Sequence, residues 1–213
     1  MPARLHFQEK LQELQSDVVR MGTDANEMVK IAVESAMSGD LDAAARVISM
    51  DDRVDEYDRN TLNKTVVVVM QESPVAADLR FLIATIGIVG EIEKVGDDAV
   101  KLARRARKIS GKFPKELRVA LVELSELARG SFAGALRLFC EYRTDLAKSI
   151  ISGDEDIDNA YVMARNRVFE LIKRNPADTE NLVRCIEVFH ALEHVADHAV
   201  AIAVRLSMLY EPS

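Results

Sequence analysis

Four pairs of acidic residues recur along this chain: Glu93 with Asp97, Glu193 with Asp197, Asp51 with Asp55, and Asp154 with Asp158. Each pair is spaced i,i+4, which on a helix sets two like charges side by side at a cost of about 0.2–0.5 kcal/mol. If the pairs of one half meet, four carboxylates crowd one patch, where they must repel, take up protons or hold a cation. Carboxylate oxygens are hard ligands suited to Fe, Mn, Mg or Ca, and less selectively to Zn. Because carboxylates bridge, a cluster of several ions also fits such a patch. Acidic pairs on helix surfaces are commonly just solvated, and Lys101 stands one turn beyond Asp97 as an ion-pair partner. Recurrence in both halves argues against that reading, since drift would have mixed lysines into the pairs.

Other candidate chemistries are weaker. The stretch "HALEH" at His190 to His194 fits an HxxEH zinc-protease pattern, but the matching positions one hundred residues earlier are Gly90 and Lys94. Glu187 and His190 make one ExxH, whereas a di-iron bundle needs two such motifs. The histidines His190, His194 and His198 line adjacent turns, either as ordinary polar-face residues or as a supplement to a metal patch in the second half. Gly111-Lys112 lacks the rest of a phosphate-binding loop, and Gly87 and Gly90 lack the dinucleotide fingerprint. The basic run Arg104 to Lys108 closes a helix, where cations favour the dipole. No nucleophile–base arrangement is visible.

The elements that carry the acidic pairs are themselves duplicated. Ile88, Ile92, Val95, Ala99, Leu102, Ala106 and Ile109 follow a 4-3-4-3 spacing, and Val188, Leu192, Val195, Ala199, Ile202, Leu206 and Leu209 repeat it one hundred residues later. Such spacing is the seam of a helix packed on other helices. Upstream, 40–55 lies over 143–158 at an offset of 103, which requires a three-residue deletion near Pro176. Gly39-Asp40, Ser73-Pro74, Gly111 with Pro114, Thr144 and Asn175-Pro176 punctuate each half into three helices. The expected spans are 4–37, 41–72, 75–109, 114–142, 145–174 and 178–210, rods about 45–50 Å long with Pro74 in the first turn of the third. Short connections make neighbours antiparallel. The fold class is therefore all-α, a tandem duplication of a three-helix bundle, with halves at 1–111 and 112–213 stacked or set end to end. On the sixth helix Glu193 falls about 140° and Asp197 about 180° from the seam, so both carboxylates are expected to face outward, as are Glu93 and Asp97.

Composition supports this class. The chain has 213 residues, 48% hydrophobic content, no Trp, five Pro and nine Gly, which suits long helices with a substantial core. A formal charge of -7 argues against wholesale binding of nucleic acid or anionic lipid. Cys140 and Cys185 form no CxxC and no disulfide framework. The opening residues are charged every few positions and lack a signal-peptide core, and Val66 to Met70 is too short to span a bilayer. The expectation is a cytoplasmic protein without membrane insertion.

"SPVAADLRFL" at Ser73 to Leu82, "EIEKVGDDAVKLA" at Glu91 to Ala103, "DDRVDEYDRN" at Asp51 to Asn60, "DEDIDNAYVMARNRVFELI" at Asp154 to Ile172 and "LEHVADHAVAIA" at Leu192 to Ala203 together resemble the PhoU family of phosphate-uptake regulators. The resemblance covers essentially the whole chain. It implies two symmetric three-helix bundles and a cytoplasmic, non-enzymatic negative regulator linking the phosphate ABC transporter ATPase to a sensor histidine kinase. It also implies multinuclear iron or zinc on the E/D-x-x-x-D residues. By position these are Glu93 and Asp97 with Asp51 and Asp55, and Glu193 and Asp197 with Asp154 and Asp158; a one-residue shift would substitute Asp52 or Glu155. Two departures stand out: Asp98 follows the first motif where the family often has Tyr or His, and the "DLR" of 78–80 occurs once. Different metal content in the two halves is one consequence. A homodimer is reasonable for long helices with exposed seams. The competing reading is an iron-storage or di-iron-type helical protein, and a further one is a purely structural helical oligomer.

Overall fold

The computed structural model describes the backbone of residues 2–210 and the side chains of residues 6–210. It contains α1 (Pro2–Ser38), α2 (Leu41–Glu72), α3 (Ala76–Ala106), α4 (Arg118–Cys140), α5 (Thr144–Arg174) and α6 (Thr179–Tyr210). Short 3-10 turns at Lys115–Leu117 and Pro176–Asp178 lead into α4 and α6, and no strand occurs among the described residues. The all-α class and the six helices expected from the repeat are present.

The turns follow from local chemistry. Gly39 adopts φ +75 and its N–H donates to the Ser35 carbonyl at 2.8 Å, closing α1 with a left-handed residue that costs glycine little. Asp40 then caps α2, its Oδ1 accepting from the N–H groups of Asp42 and Ala43 at 3.0 and 2.9 Å. Ser73 ends α2 at φ 46, and Val75 is the residue preceding α3. Pro74 therefore lies in the connection and not in the first turn of α3; with Ser73 left-handed, the chain needs two further residues to re-enter a helix. The third helix stops at Ala106, three residues short of the expected end, and α4 starts four residues late, at Arg118. Gly111 at φ +82 and Pro114 hold the intervening segment in turns.

Each half packs as a three-helix bundle, α1–α2–α3 and α4–α5–α6. The halves meet side by side through α3 on α6 and α1 on α4. One continuous core runs through both, including Ile88, Ile92, Leu102, Val188, Leu192 and Leu206, all at most 1% exposed. The interior is shared because the 4-3 seams of α3 and α6 pack on each other across the midline. Burial of each such Leu or Ile contributes about 1.5–3 kcal/mol.

An internal two-fold relation is visible in reciprocal contacts. Asn26 Nδ2 donates to the Arg129 carbonyl at 3.4 Å, and Arg129 Nε donates to the Asn26 carbonyl at 3.3 Å. These residues are equivalent at the 103-residue offset, so each repeat copy touches its own counterpart, as in an isologous dimer interface. Nearby, Gly22 admits α4: a Cβ there would lie 2.4 Å from Leu136 Cδ2.

Candidate metal centres along two helix grooves

The acidic pairs of each half do come together. In the first half, α2 and α3 lie in contact. Asp51 is pressed against α3 at Gly96, where an added Cβ would stand 3.2 Å from Val54 Cγ1 and 3.4 Å from Asp51 Oδ1. Burial raises the Asp51 carboxyl above its ordinary value, and repulsion from Asp55 and Asp97 adds to the rise. Glu93 is raised likewise, first by burial, then by Asp97, Asp55, Asp58 and Asp51. Asp58 is a neighbour the spacing of the pairs did not reveal.

The second half repeats this between α5 and α6. Asp154 is raised by burial, then by Asp158 and Asp197. Glu193 is pushed up to about 7, first by burial and then by Asp197, Asp158, Asp154 and Asp98. Asp197 is raised by burial and by Asp158, against the opposing pull of the histidines 190, 194 and 198. Asp154 Oδ1 and Glu193 Oε2 are buried oxygens without a hydrogen-bond partner among the described residues. Of the eight carboxylates, Asp55 is the one with a lysine or arginine in ion-pair reach among the described residues, Arg59 at 3.8 Å. Under-neutralised oxygens with unused lone pairs are the donor type that suits a hard cation, but among the described residues no three of the eight carboxylates bring oxygens within 4.8 Å of one another, so holding an ion requires their side chains to converge.

Three expectations need correction. Glu93 and Glu193 do not face open solvent; they are half-buried, with the Glu193 side chain 19% exposed. A single seam gives one buried face, but α6 packs on α3, α4 and α5, so the flank of the helix is covered too. Lys101 is bound first to Asp98 and not to Asp97; its Nζ donates to Asp98 Oδ1 at 2.9 Å, and Asp97 and Glu93 feel its charge from further away. His198 is no ordinary polar-face residue. It is packed between the halves, its Nδ1 2.9 Å from Glu91 Oε2 and its Nε2 3.3 Å from Asp98 Oδ2.

Asp98 is the residue that spacing underrated. It is 2% exposed and charged, held by Lys101, His198 and, at 3.8 Å, His194 Nδ1. Burial alone would raise its carboxyl, but hydrogen bonds from His198 and Lys101 outweigh this and hold it below the ordinary value. Its own hydrogen bonds with Asp98 and Glu91 raise His198 against the lowering effect of burial. The signal for this network was present in the sequence as the Asp98–His198 match at the hundred-residue offset.

The di-iron motif finds no support in placement, since Glu187 is engaged by Arg105 Nε at 3.1 Å. A cleft of about 550 Å³ opens between α1 and α4, lined by Thr23, Asn26, Arg129 and Arg137, and holds none of the eight carboxylates. The chemistry sits in the grooves and not in that cleft. Among the described residues no helix is long and apolar enough to cross a membrane.

Both halves of the chain have counterparts in known proteins. The family model for the PhoU domain matches residues 18–106 and again 121–206. The chain belongs to the PhoU family. The two matched segments each carry one of the six-helix molecule's halves, so the PhoU domain is the unit that was duplicated. A curated relative from Rhizobium meliloti, described as a phosphate-specific transport system accessory protein PhoU homolog, is 31% identical over 201 residues, covering 92% of this chain and 84% of the relative. The homolog so described from Pseudomonas putida is 28% identical, over 91% of this chain and 76% of its own length. Among solved structures, the crystal structure of PhoU from Pseudomonas aeruginosa superposes with a TM-score of 0.91 at 27% identity, covering 97% of this chain and all of that one. The regulatory protein PhoU from Streptococcus pneumoniae, at 22% identity and TM-score 0.86, shares the fold.

Proposed function

We propose that this chain is a non-enzymatic regulator of phosphate transport that works by docking its helical surface onto other proteins. The observation that carries the reading is the match of both halves to the PhoU domain, together with relatives described as accessory proteins of phosphate-specific transport. In this reading the protein is cytoplasmic and homodimeric, and restrains uptake and the starvation response when phosphate is plentiful. Its partners are the phosphate ABC transporter ATPase and a sensor histidine kinase.

The two acidic grooves have a place in this reading. Asp51, Asp55, Glu93 and Asp97 would hold cations in one, and Asp154, Asp158, Glu193 and Asp197 in the other. Iron or zinc, single or clustered, is the expected occupant, with Mn, Mg and Ca also suited to oxygen donors. A bound cation supplies positive charge that removes the repulsion between neighbouring carboxylates. The residues themselves then brace α2 against α3 and α5 against α6, fixing the outer surface that a partner meets.

The test is complementation. In a host lacking its own PhoU, expression of this chain should lower phosphate uptake and a starvation-response reporter at high phosphate. Affinity capture at high and low phosphate should retain transporter and kinase subunits. A host that stays derepressed while the protein is folded and abundant, with no captured subunits, would refute the reading.

A further inference from the structure

The acidic grooves are near copies of one another, but the second has an addition that the first lacks. His190, Glu193 and His194 each offer a donor atom, and the three atoms lie within 4.8 Å of one another. They stand at i, i+3 and i+4 on α6, so one rigid helix turn sets their spacing. Two histidines four residues apart on one helix face are an arrangement that binds zinc elsewhere. Here their rings lie 4.0 Å apart, centroid to centroid.

The surroundings orient this trio. The His194 ring has Nδ1 3.8 Å from Asp98 Oδ2 and Nε2 3.9 Å from Glu193 Oε2. One nitrogen thus turns to a buried carboxylate and the other to the open oxygen of the trio. That is the order of a carboxylate–histidine–metal relay, with Asp98 at ion-pair and not hydrogen-bond distance, so that a small rotation of the ring toward Asp98 would complete it. Glu193 Oε2 has no hydrogen-bond partner among the described residues, which leaves its lone pairs available.

We infer that His190, Glu193 and His194 form a binding site for one zinc-class divalent cation, with Asp98 of the opposite half as the residue that positions His194. Two imidazoles favour Zn²⁺ and its borderline neighbours over Mg²⁺, Ca²⁺ and Mn²⁺, which the all-carboxylate groove favours. A tetrahedral zinc with bonds of about 2.0–2.1 Å needs donors about 3.4 Å apart, so the trio, now within 4.8 Å, must draw closer around the ion. Water completes the shell. The first half cannot build this site: Gly90 and Lys94 stand where His190 and His194 do, and Lys94 Nζ is bound to Glu91 at 3.1 Å. The stoichiometry is therefore one per chain. The site shares Glu193 with the second acidic groove but does not depend on the regulatory reading.

Zinc titration of the full chain in competition with a chromophoric chelator tests this, with Co²⁺ as the spectroscopic stand-in. Wild type should take up one zinc per chain more than the His190→Ala/His194→Ala double variant, at a site that prefers zinc to Mn²⁺, and the Co²⁺ form should show the visible absorption of a low-coordinate nitrogen-containing site. His190→Ala, at an exposed position, and His194→Ala should each weaken zinc binding about a hundredfold or more, and Asp98→Asn about tenfold. Glu170→Gln, at an exposed position of α5 outside both grooves, should leave the zinc affinity unchanged. Zinc binding that is absent, or equal in wild type and the His190→Ala/His194→Ala double variant, overturns the assignment. Failure of complementation with this zinc binding intact removes the regulatory reading and not the site.

Discussion

Asp98 and His198 are the same position of two repeat copies, and they meet: Asp98 Oδ2 lies 3.3 Å from His198 Nε2 between α3 and α6. A duplicated chain that folds on itself brings equivalent residues face to face at its internal axis, as Asn26 and Arg129 also show. At this point the two copies have diverged into an acid and a base. What would be self-repulsion in a symmetric molecule is a cross-brace here, extended by Glu91, Lys101 and His194.

This brace should give stability a defined pH dependence. The groups facing His198 are Glu91 and Asp98 from α3 and His194 from α6, with Lys94 and Lys101 pairing the two acids. His198 is raised above its ordinary 6.5, so its contribution is whole below that pH and is lost as pH rises through the folded value. Asp98 and Glu91 are depressed below 3.8 and 4.5, so theirs is whole above those values and is lost as pH falls through the folded ones. The network is therefore strongest between about pH 4.5 and 6.5. In thermal unfolding of metal-free protein, His198→Gln should flatten the decline on the alkaline side. Asp98→Ala, which strands the largely buried His198 beside Glu91 and releases the exposed Lys101, should cost about 3 kcal/mol, a drop in Tm of about 6–12 °C. A Tm–pH profile identical in wild type and His198→Gln would exclude the brace.

Glu193 carries the opposite sign. Its carboxyl is raised from 4.5 to about 7, so in the metal-free protein stability is lost as pH rises from the lower value through the higher. Glu193→Gln removes the charge while keeping the shape. It should stabilise the metal-free protein at pH 8 by about 1 kcal/mol, which for this size raises Tm by about 2–4 °C. The gain should vanish at pH 4. A destabilised Glu193→Gln variant at pH 8 would mean that its carboxylate is held by a favourable partner instead of strained.

Cations should reverse that strain. Mn²⁺ at a hundred times its dissociation constant should stabilise the wild-type protein by about 2.7 kcal/mol per site, read as a rise in Tm. Glu93→Gln with Asp97→Asn should remove the first groove's share, and Asp154→Asn with Asp158→Asn the second's, with the two losses adding because the grooves share no ligand. Elemental analysis of chelator-free protein checks the same point. Metal content and Tm that do not change in the fourfold variant would exclude these carboxylates as ligands.

The fold and the grooves were legible because both are periodic. The 4-3 seam of Ile88 to Ala106 has to face other helices, and its repeat in Val188 to Leu206 fixes the duplication without any knowledge of contacts. The acidic pairs were legible for the same reason. Two things were not. One-helix geometry assigned Glu93 and Glu193 to the outside, because it counts one neighbour where α3 and α6 have several. The pairing of Asp98 with His198 depends on how the halves dock, and no local spacing contains that. The sequence alignment put the two residues in register, but an acid opposite a histidine reads as divergence until the axis is known to pass between them.

The docking of the halves also rests on Gly22. An added Cβ would lie 2.4 Å from Leu136 Cδ2 and 3.1 Å from its Cγ, so α1 and α4 approach at a point where only a hydrogen fits. Gly22→Ala gains about 1 kcal/mol of helix propensity, which masks part of the clash. Gly22→Val adds branching that Leu136 cannot clear by one rotation, and should cost about 2 kcal/mol. Leu136→Ala alone leaves a cavity and costs about 2–3 kcal/mol. In the double variant the valine fills the space that the leucine vacates, so the loss should be smaller than the sum of the two by about 1–2 kcal/mol. Urea unfolding of the four proteins measures the cycle. Strict additivity would show that Gly22 and Leu136 do not share a contact.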